Sequence, residues 1–152
     1  MRSLISIIFI SIILANCGFK PIYSSKNSNF EVLEIINKNE NKNSFSIEKI
    51  VMSLSNENAV RKVKLELDYK HSVTTILKDS KGNPSKKKLF INVDLKVKNQ
   101  KDNLLANKSF SEEFSFNVQN DKFGMAQYEA NISDNLNNKI SNDIIFLLGT
   151  LK

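Results

Sequence analysis

The stretch that decides the fold runs from Leu89 to Lys98 and reads Leu-Phe-Ile-Asn-Val-Asp-Leu-Lys-Val-Lys. From Leu89 onward every second residue is a large aliphatic one, and mostly polar or charged residues stand between them. Because successive side chains of a β-strand point to opposite faces of the sheet, this alternation predicts a strand with one buried face and one face in water.

The segments on either side have the same alternation. On the N-terminal side the residues of one parity are Val63, Leu65, Leu67, Tyr69, Val73, Thr75 and Leu77, with a bulge expected near His71. On the C-terminal side they are Leu104, Ala106, Phe110, Phe114, Phe116 and Val118. Turn-forming residues at 79–84 and 99–103 separate the segments. The pattern therefore predicts an antiparallel meander of three strands with one apolar and one polar face.

Two helical patterns flank this meander. Ile47, Ile50, Val51 and Leu54 fall on one face of a short helix, for which Ser44 or Ser46 is the expected N-cap. A long amphipathic helix is predicted from about Met125 to Leu148 and spans roughly 36 Å. Its apolar stripe consists of Tyr128, Ile132, Leu136, Ile140, Ile144, Leu147 and Leu148.

These elements predict an α+β fold. Residues 30–36 add a fourth strand, and the apolar face of the sheet needs a cover that the two helices can provide. We expect a two-layer sandwich in which a mainly antiparallel four-stranded sheet carries both helices on one face. Residues 30–152 should form this single domain.

The N-terminal residues have the pattern of a lipoprotein signal. Arg2 precedes an apolar run, and Leu14-Ala15-Asn16 leads directly to Cys17, the only cysteine. We therefore interpret residues 1–16 as a signal peptide and residues 17–29 as a lipidated N-terminus and polar tether, with Cys17 carrying the acyl chains, palmitate among them. An uncleaved membrane anchor and a plain secretory signal are the alternatives. The apolar run is short for a span, which needs about 20 residues.

Composition limits the function classes. Loss of Arg2 with the signal lowers the formal net charge from +6 to +5, which favours an anionic partner unless the many lysines reflect coding bias alone. His71 is the only histidine, no cluster of metal-ligand residues occurs, and no glycine loop for phosphate is present. Glu112 and Glu113 are neighbours in a strand and point to opposite faces. The sequence predicts a protein that is not an enzyme, with no metal and no cofactor.

Nucleic acid is also not an expected partner. Phe110, Phe114 and Phe116 lie on one face of a strand, where they could stack on bases. They share the face that the helices must cover, so we interpret them as core residues.

Five lysines surround the turn between the first two strands of the meander: Lys78, Lys81, Lys86, Lys87 and Lys88. They are candidates for contact with an anionic glycolipid or with a barrel protein, because several ammonium groups can neutralise clustered phosphates. The alternative is a solvated turn with charged strand ends. Lys86 and Lys88 should point to one face and Lys87 to the other.

The residues after the signal resemble a known family. Cys17-Gly18-Phe19-Lys20-Pro21-Ile22-Tyr23 is similar to the mature N-terminus of the lipopolysaccharide-assembly lipoprotein family LptE in its alphaproteobacterial form. The size and order of the predicted elements also fit that family.

The resemblance implies an outer-membrane, lipid-anchored protein that acts without catalysis. Its domain would lie on the periplasmic side or inside the lumen of a large β-barrel partner, LptD, as a plug during lipopolysaccharide assembly, with lipopolysaccharide as a further partner. Gly18 is consistent with outer-membrane sorting. The alternative is a lipid-anchored periplasmic carrier or accessory lipoprotein of another envelope transport system.

Overall fold

The computed structural model describes residues 28–39 and 42–151. The predicted signal peptide, Cys17 and the tether up to residue 27 lie outside the described residues. In chain order the elements are β1 (Phe30–Asn37), α1 (Lys42–Ser53), β2 (Arg61–Lys78), β3 (Pro84–Asn99), β4 (Leu104–Asn117) and α2 (Lys122–Thr150).

The four strands form one sheet in the order β1-β2-β3-β4. β1 and β2 are parallel and joined through α1, whereas the β2–β3 and β3–β4 pairs are antiparallel. A parallel pair needs such a crossover, because its two strands run in the same direction. The predicted α+β class, with a mostly antiparallel four-stranded sheet and two helices, is confirmed.

The core lies between the inner sheet face and the two helices. Strand β3 is its centre: Leu95 and Val97 are fully buried, while Lys96 between them is exposed. The principal core residues are Val63, Leu65, Leu67, Tyr69, Leu89, Ile91, Val93, Leu95 and Val97 from the sheet, and Ile47, Val51, Ile132, Leu136, Ile140, Ile144 and Leu148 from the helices.

Both helices begin earlier than predicted. Asp121 caps α2, since its carboxylate accepts hydrogen bonds from the N–H groups of Phe123 and Gly124 at 3.1 Å each, and the helix starts at Lys122. α1 starts at Lys42, before both Ser44 and Ser46. The predicted serine cap was therefore wrong, because the helix continues N-terminally past these residues.

The helices cover less of β2 than predicted. Side chains of its inner face are buried up to Tyr69, but Val73 and Leu77 remain 37% and 57% exposed and Thr75 is also exposed. The reason is the position of α2, which packs over β3 and β4: it reaches the level of Thr75, where Lys87 of β3 pairs with its Glu129, but it does not cover β2 there. The bulge expected near His71 was also wrong, since the register first shifts after Thr75.

The edge strand β4 is likewise only partly covered. Phe110 and Phe116 are buried as predicted, and Phe116 packs edge-on against Tyr128 with ring centroids 5.9 Å apart. Phe114 is 44% exposed and Leu104 is 57% exposed, so their assignment to the core was wrong. At the edge of the sheet no further strand shields these side chains, and α2 lies over only part of the face.

No helix within the described residues is both long enough and apolar enough to cross a membrane.

Candidate functional site

The candidate site is the end of the β2–β3 hairpin, whose turn is held by one carboxylate. Asp79 Oδ1 accepts hydrogen bonds from the backbone N–H groups of Lys81 and Asn83, both at 2.8 Å. These backbone bonds, led by that of Asn83, hold the pKa of Asp79 below its ordinary value. Gly82 has φ +84°, a conformation that other residues rarely adopt. The charge of Asp79 is thus used to close the turn.

The structure divides the five predicted lysines into two groups. Lys78, Lys81 and Lys86 form no ion pair with any residue in the described parts of the chain, and we call these three the lysine tip. Lys78 and Lys86 lie on β2 and β3, and Lys81 lies in the turn between them. The three residues therefore lie together at one end of the sheet.

Lys87 and Lys88 are neutralised by carboxylates on opposite faces of the sheet. Lys87 Nζ lies 2.9 Å from Glu129 Oε1 on α2, and Lys88 Nζ lies 3.1 Å from Glu113 Oε2 on β4. Their directions follow the strand alternation anticipated from the sequence. Contact with an external anion would have to compete with these two carboxylates, so Lys87 and Lys88 are the weaker half of the predicted site.

The outer sheet face carries a network of cross-strand ion pairs. Lys70 Nζ lies 3.1 Å from Asp94 and 3.7 Å from Asp68, and Lys98 pairs with Glu66. The hydrogen bond from Lys98 holds the pKa of Glu66 below its ordinary value, while the bond to Asp94 raises the pKa of Lys70. Exposed pairs of this kind add little stability, because water and salt screen their attraction. Their effect is a face that is charged yet locally balanced.

His71 lies at the end of the inner face, beyond the part that the helices seal. Burial lowers the pKa of its imidazole, and the negative charge of Glu129 opposes that shift. Within residues 28–39 and 42–151 no three His, Cys, Asp or Glu side chains are grouped closely enough to hold a metal ion.

Sequence reasoning missed a buried polar contact between the layers. Asn137 is fully buried on α2; its Oδ1 accepts a hydrogen bond from the Tyr69 hydroxyl at 3.2 Å, and its Nδ2 donates to the Asn43 carbonyl at 3.3 Å. It thus links β2, α2 and the start of α1. The sequence did contain a pattern that indicates a polar strip on this helix: Ser133, Asn137 and Ser141 are spaced four residues apart, next to the apolar stripe.

The sequence matches no protein-family model and no curated protein. Its fold is nevertheless similar to solved structures of lipoproteins. Lipoprotein B from Nitrosomonas europaea has a TM-score of 0.62 at 11% identity, over 87% of this chain and 90% of that one. A minor lipoprotein from Acinetobacter baumannii has a TM-score of 0.60 at 10% identity, over 86% of this chain and 93% of that one.

Rare lipoprotein B from Shewanella oneidensis is also similar, with a TM-score of 0.57 at 10% identity over 77% of this chain and 92% of that one. In each case the match spans nearly all of the other chain. At identities this low, the likeness establishes that the described domain has the fold of these bacterial lipoproteins.

Proposed function

We infer that this chain is a non-catalytic outer-membrane lipoprotein that partners a large LptD-like β-barrel as a plug during lipopolysaccharide assembly. One observation carries the proposal: a Cys17-Gly18-Phe19 lipid-attachment motif precedes a domain with the fold of rare lipoprotein B. The acylated cysteine would anchor the domain to the membrane, and two or more acyl chains make such anchoring stable.

The charged outer face supports a place inside a barrel lumen. The lumen walls of large β-barrels are polar, and the widest barrels are plugged by protein. Lys70 with Asp94, and Lys64 with Asp102 at 2.8 Å, present both signs of charge on this face. Such a surface can exchange its internal pairs for pairs with a polar wall without burying an unmatched charge.

The lysine tip supports direct contact with lipopolysaccharide. The phosphates of lipopolysaccharide are multivalent anions. Lys78, Lys81 and Lys86 form no ion pair with a carboxylate of the described residues, whereas Lys87 and Lys88 do. Charge-assisted hydrogen bonds from several ammonium groups to clustered phosphates are stronger than single exposed ion pairs. We expect this contact to weaken as salt is raised, because the groups are exposed.

The first test is co-purification of the tagged full-length chain with the LptD-type barrel of its own organism. Stoichiometric capture of the barrel supports the plug. A monomer that carries bound lipid and no barrel contradicts it and favours the periplasmic carrier. A matched pair of variants then tests the tip: Lys78, Lys81 and Lys86 are changed together to Gln, and Lys87 with Lys88 to Gln serves as the control.

The triple change should weaken lipopolysaccharide binding at low salt more than the control change. Equal binding by the unaltered and triple-variant chains at low salt would assign the tip to a solvated turn. Loss of barrel capture with intact lipopolysaccharide binding would make the tip a barrel contact instead.

A further inference from the structure

Within the described residues, more than half of β2 has no neighbouring strand on one side. β1 pairs with β2 only from Arg61 to Leu67, and the last bond of that side runs from the Lys38 N–H to the Leu67 carbonyl at 2.9 Å. From Asp68 to Lys78, β2 is paired with β3 alone within the described residues. We call this segment, Asp68–Lys78, the open edge.

The backbone groups that point outward along the open edge follow from the register. In an antiparallel pair, the N–H and C=O of each residue point to the same side, and the side alternates from one residue to the next. The Leu67 carbonyl points away from β3, and the β2–β3 register is unbroken from Val63 to Thr75. The amides of Val73 and Thr75 therefore face outward, whereas that of Thr74 bonds to β3.

The middle of the open edge, Ser72–Leu77, lacks the charges that the other edges of the sheet carry. Six residues from Ser72 to Leu77 contain no charge, no proline and no glycine, and Val73, Ile76 and Leu77 are 37%, 42% and 57% exposed. By contrast, the edge of β4 carries Lys108, Glu112 and Glu113, and β1 carries Glu31 and Glu34. Proteins guard free edges with charges, and an uncharged β-prone segment of this length readily pairs with another strand.

The chain's own N-terminal segment is too short to pair along the whole of Ser72–Leu77. Phe30 pairs with Arg61, so the described chain begins at the opposite end of β2. Leu77 lies sixteen residues beyond Arg61, about 53 Å along the strand. With Cys17 as the expected mature N-terminus, residues 17–27 span at most about 40 Å when fully extended.

A second copy of the chain fits the charges poorly. Two copies paired antiparallel about Val73 would bring Lys78 of one copy near Asp68 of the other, a carboxylate that already lies 3.7 Å from Lys70 and accepts from Asn39. This pairing offers each tip one shared carboxylate for its three lysines. A strand that brings its own carboxylates to the tip satisfies charges that a second copy does not.

We propose that an extended segment of the barrel partner adds to the open edge as a fifth strand of the sheet. The segment is uncharged and rich in β-branched residues over about six positions, and it carries carboxylates where it passes the lysine tip. Main-chain hydrogen bonds to Val73 and Thr75 hold it, and the exposed side chains of Val73 and Leu77 pack against its inner face. The identity of this partner rests on the proposed function.

The decisive variant is Thr75→Pro, with Thr75→Val as its matched control. Proline removes one outward N–H and no β2–β3 bond, whereas valine keeps the amide and the β-branched shape. In co-expression with the barrel, Thr75→Pro should lower barrel capture about tenfold, and Thr75→Val should leave it unchanged. Equal capture by all three chains overturns this inference while leaving the plug function in place. No capture by the unaltered chain overturns both.

Two measurements that do not use the proline variant keep the test valid if that variant folds poorly. Hydrogen exchange of the Val73 and Thr75 amides should be fast in the free protein and slow in the complex, while Thr74 stays slow in both. A photo-crosslinker at Ile76 should capture the barrel, and one at Ser111 on β4 should capture it less. Unprotected Val73 and Thr75 amides in the complex, or crosslinks from Ile76 to a second copy, contradict the added strand.

Discussion

The hydroxyl of Tyr69 on β2 donates a hydrogen bond to Oδ1 of Asn137 on α2 at 3.2 Å, in the buried space between sheet and helices. Tyr69 is 3% exposed and Asn137 is fully buried. The same amide reaches the Asn43 carbonyl at the start of α1. One polar group therefore fixes the position of both helices relative to the sheet, in a core that is otherwise almost wholly apolar.

Removal of the Tyr69 hydroxyl should destabilise the domain. Tyr69→Phe leaves the buried Asn137 oxygen without its donor, which costs about 1–3 kcal/mol. Urea unfolding of the variant measures this cost. In a double-mutant cycle with Asn137→Ala, the combined loss should be smaller than the two single losses together, because both changes remove one bond. Simple additivity would mean that the two side chains do not interact.

The same tyrosine should make stability fall at alkaline pH. Burial raises the pKa of Tyr69 to about 12, above its ordinary 10.0. The folded state therefore keeps a proton that the unfolded chain releases, so its contribution is full below pH 10.0 and is lost as pH rises through about 12. Absorbance titration of tyrosinate should reveal one late transition. Tyr69→Phe should remove that transition, and an unchanged titration curve would contradict the assignment.

His71 should titrate below the ordinary histidine value. Burial lowers its pKa from 6.5, so the unfolded chain binds a proton more readily than the folded one. Stability should therefore decline as pH falls from 6.5 toward the folded pKa. It is the only histidine, so its ring resonance can be followed by NMR without assignment. Glu129→Gln should lower the midpoint further, and a midpoint above 6.5 would refute the burial of the ring.

Neighbouring residues of β3 should respond very differently to truncation. Leu95 is fully buried, so Leu95→Ala should cost about 2–5 kcal/mol through lost burial and a residual cavity. Lys96 is exposed on the other face, and Lys96→Ala should change stability by no more than about 0.5 kcal/mol. Chemical denaturation of the two variants compares them directly. Similar losses at both positions would be incompatible with the strand alternation.

Lipid attachment at Cys17 remains a prediction from the sequence. Cys17→Ser should abolish incorporation of labelled palmitate and leave the precursor uncut, since the thiol is the only site for a thioether bond in the chain. Mass spectrometry of the mature protein provides a second measurement, which identifies its N-terminal residue. A mature protein that begins at another residue would favour a plain secretory signal.

Local periodicity was enough to predict most of the secondary structure. The alternation from Leu89 to Lys98 and the stripe from Ile132 to Leu148 follow from the two-residue and 3.6-residue repeats of strand and helix. The turn at Asp79–Asn83 was also predictable, because Asp and Asn side chains accept hydrogen bonds from nearby backbone N–H groups and so stabilise turns. For the candidate site, the sequence alone indicated the lysines and their alternating directions.

Tertiary structure decided what depends on length and register. Which carboxylate meets Lys87 or Lys88 is set by how α2 and β4 lie against β3, and no local pattern contains that pairing. Val73 has the same alternation as Leu65, yet it is exposed because β1 ends beside Leu67 and α2 packs over β3 and β4. Asn137 is polar by sequence and buried because Tyr69 supplies its partner. Burial and pairing depend on contacts between residues that are distant in the chain. The sequence pattern of a segment reflects only its local preference for helix or strand.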